Sequence, residues 1–419
     1  MPTTEDEPSS PILTDTLLED TAAPVRGGRP WTMRRIVVGV LVLMIVQLAA
    51  RFYVFDVDVA QVHHAVRSWH KHIFGDSTSA SHFISSYDPF SWISAIAGSG
   101  GASSFVRAAV LYLPSHEPEF EIEFRWFRRS WLEMQKAEPP TWRTDIVVYS
   151  DGNSPALEAL NCSATSRRTS RDDANMCILH PTYTSVYSDA FPYEFADSVN
   201  VVGLNGTDLD MYDWVLRTDV DTFLTPAFAT WRPPKMVVGE GSYLGLGFTT
   251  GDRLASITSS LNLTTMNLDN VGSTWYGPTS LVRTCANLSM SVMQYLYANE
   301  FTDEEKSPEY GIKGWPQWHI GVVSMYAGHI AINHCTRDFG VAKDEDMLDF
   351  PTTSSDPPSR HAHLHTWQDN DRFSKAAFIR GAYAHEDRSK LRPAHTIVDY
   401  AMYMALDSQP TALHPRALT

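Results

Sequence analysis

The chain has 419 residues, of which 43% are apolar and 20% charged, and its formal net charge is −16 at pH 7. Such a composition is typical of a globular protein with a large core rather than of a disordered chain. The acidic balance argues against a nucleic-acid-binding surface, because neutralising phosphates requires an excess of lysine and arginine. It leaves open a local basic pocket for an anionic nucleotide.

An apolar stretch near the N-terminus is predicted to be a membrane anchor. Residues 36–55 carry few polar side chains, and this length suits a bilayer core of about 30 Å. Arg51 lies near one end of the stretch, from where its side chain can extend to the headgroups. The alternative is a signal peptide cleaved after Ala49-Ala50, but the leader that precedes the stretch is long for a signal peptide.

Charge on either side of the stretch predicts its orientation. Four arginines crowd the N-terminal flank, whereas only Arg67 and Lys71 lie close on the other side. Basic residues favour the cytoplasmic side, so we expect a single-pass type II protein of the Golgi or ER membrane. The predicted organisation is a disordered cytoplasmic tail at 1–35, the anchor at 36–55, a stem at 56–104, a luminal domain at 105–400 and a C-terminal tail at 401–419.

Cysteines and glycosylation sequons fit a luminal domain. All four cysteines follow the predicted anchor, and their spacing matches no zinc pattern, which favours disulfides in an oxidising compartment. Three pairings are open, and Cys162–Cys177 is the most local. Sequons also follow the anchor, at Asn161, Asn205, Asn262 and Asn287.

The first regular elements predict a strand, a helix and a second strand. The apolar runs at 106–114 and 144–152 are typical of buried strands. Between them, apolar residues at spacings of three and four share one helix face: Phe124, Phe127, Trp131 and Met134. This order predicts a parallel sheet in an α/β fold, where ligands bind at the carboxyl ends of strands. Ser115 and Asp151 are therefore expected at the edge of a pocket, although each could belong to an ordinary loop.

One pair of acids has the context of a metal site. Of five Asp-x-Asp triplets, four lie in polar or turn-forming contexts: Asp56/Asp58, Asp208/Asp210, Asp344/Asp346 and Asp369/Asp371. Asp219 and Asp221 instead follow the strand-like approach in "YDWVLRTDVDTFLTP", and alternation would put both carboxylates on the same side. Paired carboxylates repel unless a cation lies between them, and Mn²⁺ or Mg²⁺ can bridge such acids to a substrate's phosphates. The alternative is that the acids cap a following helix.

The segment around Asp219 resembles the DxD motif of GT-A glycosyltransferases, the nucleotide-diphospho-sugar transferase fold. "DNVGSTWYGP" at 269–278 resembles their Asn-x-Gly loop, "WPQWHIGVVSMYAG" at 315–328 occupies the slot of their acceptor segment, and "HTWQDNDRFSK" at 365–375 resembles their C-terminal His motif. The resemblance covers about residues 105–385 and implies a mixed, mainly parallel sheet flanked by helices. The set of motifs is also similar to an uncharacterised group of membrane proteins from eukaryotic microbes.

The resemblance implies roles for individual residues. Asp219 would contact the ribose and the metal, Asp221 and His365 would ligate the metal, and Lys375 would bind the diphosphate. Asn270 and Gly272 would shape the donor-sugar pocket. The usual His-x-x-Gly-x-x-Lys pattern is absent here, so other histidines compete with His365 for the ligand role: His319, His334, His361 and His363.

Aromatic residues and two possible bases complete the predicted site. Trp275, Trp315 and Trp318 lie in segments rich in glycine and proline, where aromatic faces can serve as platforms for sugars, or alternatively fill the core. His319 and Asp252 are candidate general bases for an acceptor hydroxyl, and His319 could equally be a buried, hydrogen-bonded histidine.

These observations predict a metal-dependent glycosyltransferase of the secretory pathway. It would move a sugar from a UDP- or GDP-sugar donor to a glycan, glycoprotein or glycolipid acceptor. Two alternatives stay open: a glycan-binding protein that kept the fold without the chemistry, and a metal-dependent luminal hydrolase that uses the same acids.

Overall fold

The computed structural model describes residues 104–205, 208–244, 249–307, 317–366 and 372–409, all within one compact unit. The predicted cytoplasmic tail, the anchor at 36–55 and nearly all of the stem lie outside these residues. Within the described ranges, no helix combines the length and apolarity needed to cross a bilayer.

The described residues form eleven strands and eight α-helices. The strands are β1 Phe105–Tyr112, β2 Trp142–Tyr149, β3 Cys162–Ser163, β4 Cys177–His180, β5 Trp214–Arg217, β6 Thr222–Leu224, β7 Met236–Glu240, β8 Val271–Pro278, β9 Val341–Lys343, β10 Phe350–Pro351 and β11 His363–His365. The helices are α1 Pro118–Met134, α2 Pro155–Ala159, α3 Asp197–Gly203, α4 Thr250–Ser260, α5 Thr279–Asn299, α6 Val323–Cys335, α7 Lys375–Ile379 and α8 Ile397–Ser408. Short 3-10 helices lie at Gln135–Ala137, Glu194–Ala196, Asp208–Met211, Pro226–Thr230, Ile320–Val322, Pro358–Arg360 and Arg388–Lys390.

The strands form two sheets. The larger sheet has the order β3-β4-β2-β1-β5-β8-β7-β9. Neighbours from β3 to β5 pair in parallel, as do β7 and β9, whereas β8 is antiparallel to both β5 and β7. The smaller sheet has the order β10-β11-β6, with β11 antiparallel to β6. The predicted mixed, mainly parallel α/β sheet is confirmed.

The predicted strand–helix–strand unit is formed by β1, α1 and β2. β1 and β2 pair in parallel from Phe105 with Trp142 to Tyr112 with Tyr149. All four apolar residues of the predicted helix face are buried in α1. Alternate residues of β1 enter two separate cores, which explains why its sequence is continuously apolar: Val106 and Val110 face one core and Leu111 the other.

Helices cover both faces of the larger sheet. α3, α5 and α6 contribute to one core, and α1 and α8 contribute to the other. Two disulfides cross-link these elements: Cys162–Cys177 joins β3 to β4, and Cys285–Cys335 joins α5 to α6. The expected disulfides, including the local pair, are therefore confirmed. The four sequon asparagines are all exposed, as glycosylation requires.

A buried arginine ties β1 to the segment that follows β6. Arg107 is completely buried, and its guanidinium donates to Thr144 Oγ1 at 2.8 Å, Phe228 O at 2.8 Å and Trp231 O at 2.9 Å. It also lies 4.0 Å from the centre of the Phe228 ring. Its Nη2 also lies 3.7 Å from Oε1 of Glu138, whose side chain is only 4% exposed, so the guanidinium balances a buried carboxylate.

We therefore expect Arg107→Ala to lower the free energy of unfolding by about 3–5 kcal/mol, because it leaves the buried Glu138 carboxylate without its cation and removes several buried hydrogen bonds. Urea denaturation with intact disulfides measures this loss. Arg167→Ala, at an exposed arginine of the same domain, is the control, with an expected change within about 0.5 kcal/mol. Equal effects of the two substitutions would contradict a structural role for the Arg107 network.

Burial of His329 in α6 predicts acid sensitivity. Burial lowers the pKa of His329 to about 4, and its ring Nδ1 lies 3.2 Å from the Tyr243 hydroxyl. In the unfolded chain this histidine binds its proton with a pKa of about 6.5. The contribution of neutral His329 to stability is therefore fully present above pH 6.5 and is lost as the pH falls towards 4.

Between about pH 7 and about pH 5, His329 should account for roughly 2 kcal/mol of lost stability. Replacing it with a neutral residue, His329→Gln, should shrink the loss between the two pH values by that amount. Urea titrations at both pH values test this, with His395→Gln as the exposed-histidine control. An unchanged pH dependence in His329→Gln would show that burial of this ring is not the cause.

Candidate functional site

A cavity of about 340 Å³ opens at the carboxyl ends of β1, β5 and β7. The last residue of each strand lines it: Tyr112, Arg217 and Glu240. This is the edge at which α/β sheets bind ligands. Its remaining walls come from α1, the 193–198 segment, the start of α6, β11 and α7.

Asp219 and Asp221 lie in the corner between β5 and β6, which belong to different sheets. Thr222 Oγ1 donates to Asp219 O at 2.8 Å, and the Thr366 backbone N–H donates to Asp221 O at 3.1 Å. The sequence predicted that both acids lie on one strand and that alternation directs their side chains to the same side. This is wrong, since the acids lie in the bend between two strands. Their carboxylates nevertheless converge, and a strand rather than a helix follows them, so they are not helix caps.

His365 completes a cluster with these two acids. One ligand atom from each of Asp219, Asp221 and His365 can be chosen so that all three lie within 4.8 Å of one another. His365 is the last residue of β11, which pairs with β6 so that His365 lies opposite Thr222. Its Nε2 is 3.4 Å from Asp221 Oδ1. This geometry suits one divalent cation held by two carboxylates and an imidazole.

The rival histidines have other contacts. His363 is buried, and its Nε2 lies 2.8 Å from Thr218 Oγ1. His361 contacts the Asp346 carbonyl at 2.6 Å, and the His334 ring accepts from the Thr264 backbone N–H at 3.1 Å. Of the competing histidines, His365 is the one that the structure brings to the two acids.

Asp349 lies behind His365 and was missed by sequence reasoning. Its Oδ1 is 3.4 Å from His365 Nδ1 and accepts a bond of 2.5 Å from Thr274 Oγ1. Burial opposes protonation of His365, but Asp221 and Asp349 outweigh it and raise the pKa of His365 well above the ordinary value. A cation ligated by Nε2 would therefore displace the proton from this nitrogen. A carboxylate on Nδ1 of a histidine fixes the ring so that Nε2 faces the site.

Asp349 ends the acidic run "KDEDMLD" at 343–349, which as a sequence is typical of a solvated surface. The structure shows that only part of this run is exposed. Glu345 and Asp346 are exposed as expected, but Leu348 and Asp349 are buried because the run turns inwards at its end. Asp56/Asp58 and Asp369/Asp371 lie outside the described residues.

Cations of the protein already balance the two acids. Lys375 Nζ lies 2.8 Å from Asp221 Oδ2, and Arg217 lies 3.1 Å from Asp219 Oδ1. Burial alone would raise the pKa of Asp221, but His365 and Lys375 hold it well below its usual range. The side chain of Arg217 is fixed by Ser198 and by the Ser273 carbonyl. The structure thus places Lys375, which was predicted to bind the diphosphate, in direct contact with Asp221.

Glu123 is a second residue that sequence reasoning missed. It projects from α1 into the cavity wall, is 2% exposed, and its Oε1 lies 3.5 Å from Lys375 Nζ. Its position in the sequence gave one signal. Glu123 precedes Trp126 and Phe127 by three and four residues, which puts it on a helix face that is otherwise apolar.

Asn270 and Gly272 act on the cavity through a neighbouring loop. Asn270 has a positive φ of 44°; its side chain accepts from Leu244 N at 2.8 Å, and its carbonyl accepts from Gly241 N at 2.6 Å. A Cβ at Gly272 would come within 2.7 Å of the Gly239 backbone. Both residues hold the loop whose Gly241 lines the cavity, so they shape the predicted pocket indirectly.

Ser115 and Asp151 meet beyond the ends of β1 and β2, as expected for neighbouring parallel strands. The Ser115 N–H donates to Asp151 Oδ1 at 2.7 Å. His116 links this pair to the cavity rim, since its Nε2 lies 3.6 Å from Glu194 Oε2. Pro114 and Glu194 line the cavity itself.

Two of the predicted sugar platforms belong to the core. Trp275 lies within β8, is 1% exposed, and donates to Gly272 O at 3.0 Å. Trp318 is buried between Phe301 and Tyr326, with ring centres 5.2 and 4.1 Å away. Neither presents a face to the cavity, so these two predictions are corrected. Trp315 lies outside the described residues.

Other aromatics occupy the cavity wall. Phe195 is 51% exposed and lines the cavity together with Tyr112, Phe120 and Tyr193. These four residues, which we call the aromatic rim, contribute apolar ring surface to the wall. Nothing in the sequence around Phe195 distinguished it from an ordinary loop residue.

Neither predicted base lines the cavity. His319 is buried, its Nδ1 accepts from Gly321 N at 3.1 Å, and burial lowers its pKa. It therefore caps the short helix at Ile320–Val322, which corresponds to the structural alternative. Asp252 is exposed in the first turn of α4. Their positions give no geometric support for a catalytic role.

The chain matches a protein-family model over most of its length. Residues 102–415 match a family model described as "Domain of unknown function (DUF7164)". No curated protein matches the chain. The matched range includes every residue of the cluster and of the cavity wall.

The contact between Asp349 and His365 predicts that Asp349 controls the affinity of the cluster for a cation. Asp349→Asn keeps the shape of the side chain but removes the charge that orients His365, and we expect Mn²⁺ binding to weaken by about 10- to 100-fold. Isothermal titration of the full chain with Mn²⁺ measures the change.

The matched control is Asp356→Asn. Asp356 also pairs with a histidine of the same segment, at 3.3 Å from His361 Nε2, but neither residue lines the cavity. A similar loss of Mn²⁺ affinity in both variants would contradict an orienting role specific to Asp349.

Proposed function

The chain belongs to the DUF7164 family, and we propose that it is a metal-dependent glycosyltransferase of the GT-A type. It would move a sugar from a UDP- or GDP-sugar to a glycan, glycoprotein or glycolipid acceptor. The observation that carries this proposal is the cluster of Asp219, Asp221 and His365 beside Lys375, in a cavity at the carboxyl ends of a mainly parallel sheet.

The donor set suits the chemistry of sugar nucleotides. Asp219, Asp221 and His365 would hold a Mn²⁺ or Mg²⁺ ion, which neutralises charge on a departing diphosphate. The ammonium of Lys375 lies beside Asp221 in this cluster and can pair with a phosphate oxygen. Arg217 holds Asp219 from the protein side and so fixes the direction of its carboxylate.

The surroundings supply a place for the sugar and its acceptor. Ser242 and Ser273 also line the cavity and offer hydroxyl groups for hydrogen bonds. The aromatic rim offers apolar faces, which suit the C–H surfaces of sugars. The platform role that the sequence suggested for Trp275 and Trp318 is thus better filled by Phe195, which is exposed.

The cellular setting is part of the same proposal. Two disulfides and four exposed sequon asparagines are consistent with a luminal domain. Together with the arginine-flanked apolar stretch at 36–55, they support a single-pass type II protein of the Golgi or ER membrane.

A thermal-shift screen of the full chain with UDP- and GDP-sugars, with and without Mn²⁺, tests the proposal. One class of nucleotide should stabilise the protein only when Mn²⁺ is present. A ligand at about 100 times its Kd contributes roughly 2.7 kcal/mol, which raises the Tm by several degrees. Asp219→Ala/Asp221→Ala should abolish this shift, because it removes both carboxylate ligands.

The matched control replaces another Asp-x-Asp triplet, Asp208→Ala/Asp210→Ala, in which Asp210 is exposed and pairs with Arg283. It should retain the full shift. A folded protein that responds to no donor would overturn the transferase proposal and favour a glycan-binding module. Turnover of a glycan or phosphoester without any sugar nucleotide would instead favour a hydrolase.

A further inference from the structure

Lys375 occupies the place of a counter-ion to Asp221. Its Nζ lies 2.8 Å from Asp221 Oδ2, and its side chain is 19% exposed. Asp221 Oδ1 faces His365 at 3.4 Å. Both oxygens of this carboxylate therefore have a partner within the protein. A divalent cation at Asp221 would meet the ammonium of Lys375 at close range, and two cations on one buried carboxylate repel each other strongly.

Glu123 offers the ammonium a second partner. It is 2% exposed, and its Oε2 has no hydrogen-bond partner in the described part of the chain. Burial and the charge of Asp221 raise the pKa of Glu123 to about 8, whereas Lys375 lowers it, so the Glu123 carboxyl loses its proton as the ammonium approaches. A buried carboxylate with an unsatisfied oxygen is stabilised by any closer approach of a cation.

The geometry makes an exchange of partners easy. The Nζ of Lys375 is 3.5 Å from Glu123 Oε1, so a small shift brings it to the 2.8 Å that it now keeps from Asp221. Glu123 lies on α1 and Asp221 in the corner after β5, so the two carboxyl groups reach the ammonium from different elements. A long lysine side chain covers such a shift by rotamer changes, without movement of either backbone.

We propose that Lys375 competes with a divalent cation for Asp221, and that Glu123 is the positioning residue that keeps the displaced ammonium in the cavity. The inference rests on the proposed function insofar as it takes the cluster to be a divalent-cation site. It adds that Lys375 is the internal counter-cation of Asp221 and that Glu123 acts through Lys375.

If Lys375 is displaced by a cation, the binding of the cation becomes coupled to the binding of a diphosphate. The displaced ammonium gains an anionic partner when a diphosphate is present, so the diphosphate lowers the cost of displacing it. By linkage, each ligand then strengthens the binding of the other by the same factor. The preferred ligand is therefore a cation–diphosphate pair rather than either ion alone.

Mn²⁺ alone is the probe for the first test, added to the full chain and followed by the electron paramagnetic resonance signal of the free ion. Lys375→Met keeps the length of the side chain and removes its charge, so Mn²⁺ binding should tighten by roughly 5-fold or more. Glu123→Gln should weaken binding several-fold, because the ammonium then stays on Asp221. Damage to the fold would weaken binding in both variants.

A double-mutant cycle tests whether Glu123 acts through Lys375 or only through its own negative charge. In the Lys375→Met background, Glu123→Gln should have no further effect, because its partner is gone. Loss of charge alone would weaken binding equally in both backgrounds. Glu119→Gln, at an exposed residue one turn earlier on α1, is the control and should leave Mn²⁺ binding unchanged.

Each outcome decides the inference. Tighter binding in Lys375→Met, even if the unaltered chain binds no measurable Mn²⁺, supports it. Unchanged or weaker binding in that variant overturns it, as does the absence of Mn²⁺ binding from both proteins or an equal effect of Glu123→Gln in both backgrounds. The transferase proposal fails separately, since these results stand whether or not any donor sugar is transferred.

Discussion

The antiparallel pairing of β6 with β11 is the constraint on which the site depends. It sets His365 opposite Thr222 and so brings the ring beside Asp221, although the two residues are far apart in the chain. Side chains alternate along a strand, so a slip of one residue would replace His365 by Leu364 at the cavity. Thr366, which donates twice to the Asp221 carbonyl at 3.1 and 2.8 Å, pins this register.

That pairing also creates a chain of alternating charges across the cavity. Asp349, His365, Asp221 and Lys375 follow one another with contacts of 3.4, 3.4 and 2.8 Å, and Glu123 lies beyond the lysine at 3.5 Å. From Asp349 to Lys375 each charge therefore has a neighbour of opposite sign, which offsets the cost of burying these groups. A cation that binds Asp221 must displace one of the partners of this carboxylate, so its binding is a competition.

The parts of this arrangement that depend on local sequence were predictable, and the parts that depend on distant pairing were not. Asp219 and Asp221 could be recognised because their strand-like approach and Pro226 lie beside them. Asp349 could not, because only the fold turns the end of an acidic run inwards. Trp275 was misplaced because Gly272 and Gly277 make its segment look like a loop. Both glycines lie in β8, where neighbouring backbone or side-chain atoms leave no room for a Cβ.

The distribution of polar and apolar groups along the cavity sets the orientation in which a ligand binds. The buried end of the cavity holds Asp349 and Glu123, whose side chains are only 3% and 2% exposed, whereas Phe195 at the aromatic rim is 51% exposed. Electrostatic contacts are strongest where water is excluded, so the ionised part of a ligand gains most at the buried end. Its uncharged part then lies against the aromatic rim, within reach of a second molecule arriving from solvent. A phosphate-linked sugar has this division within one molecule, and a neutral glycan does not.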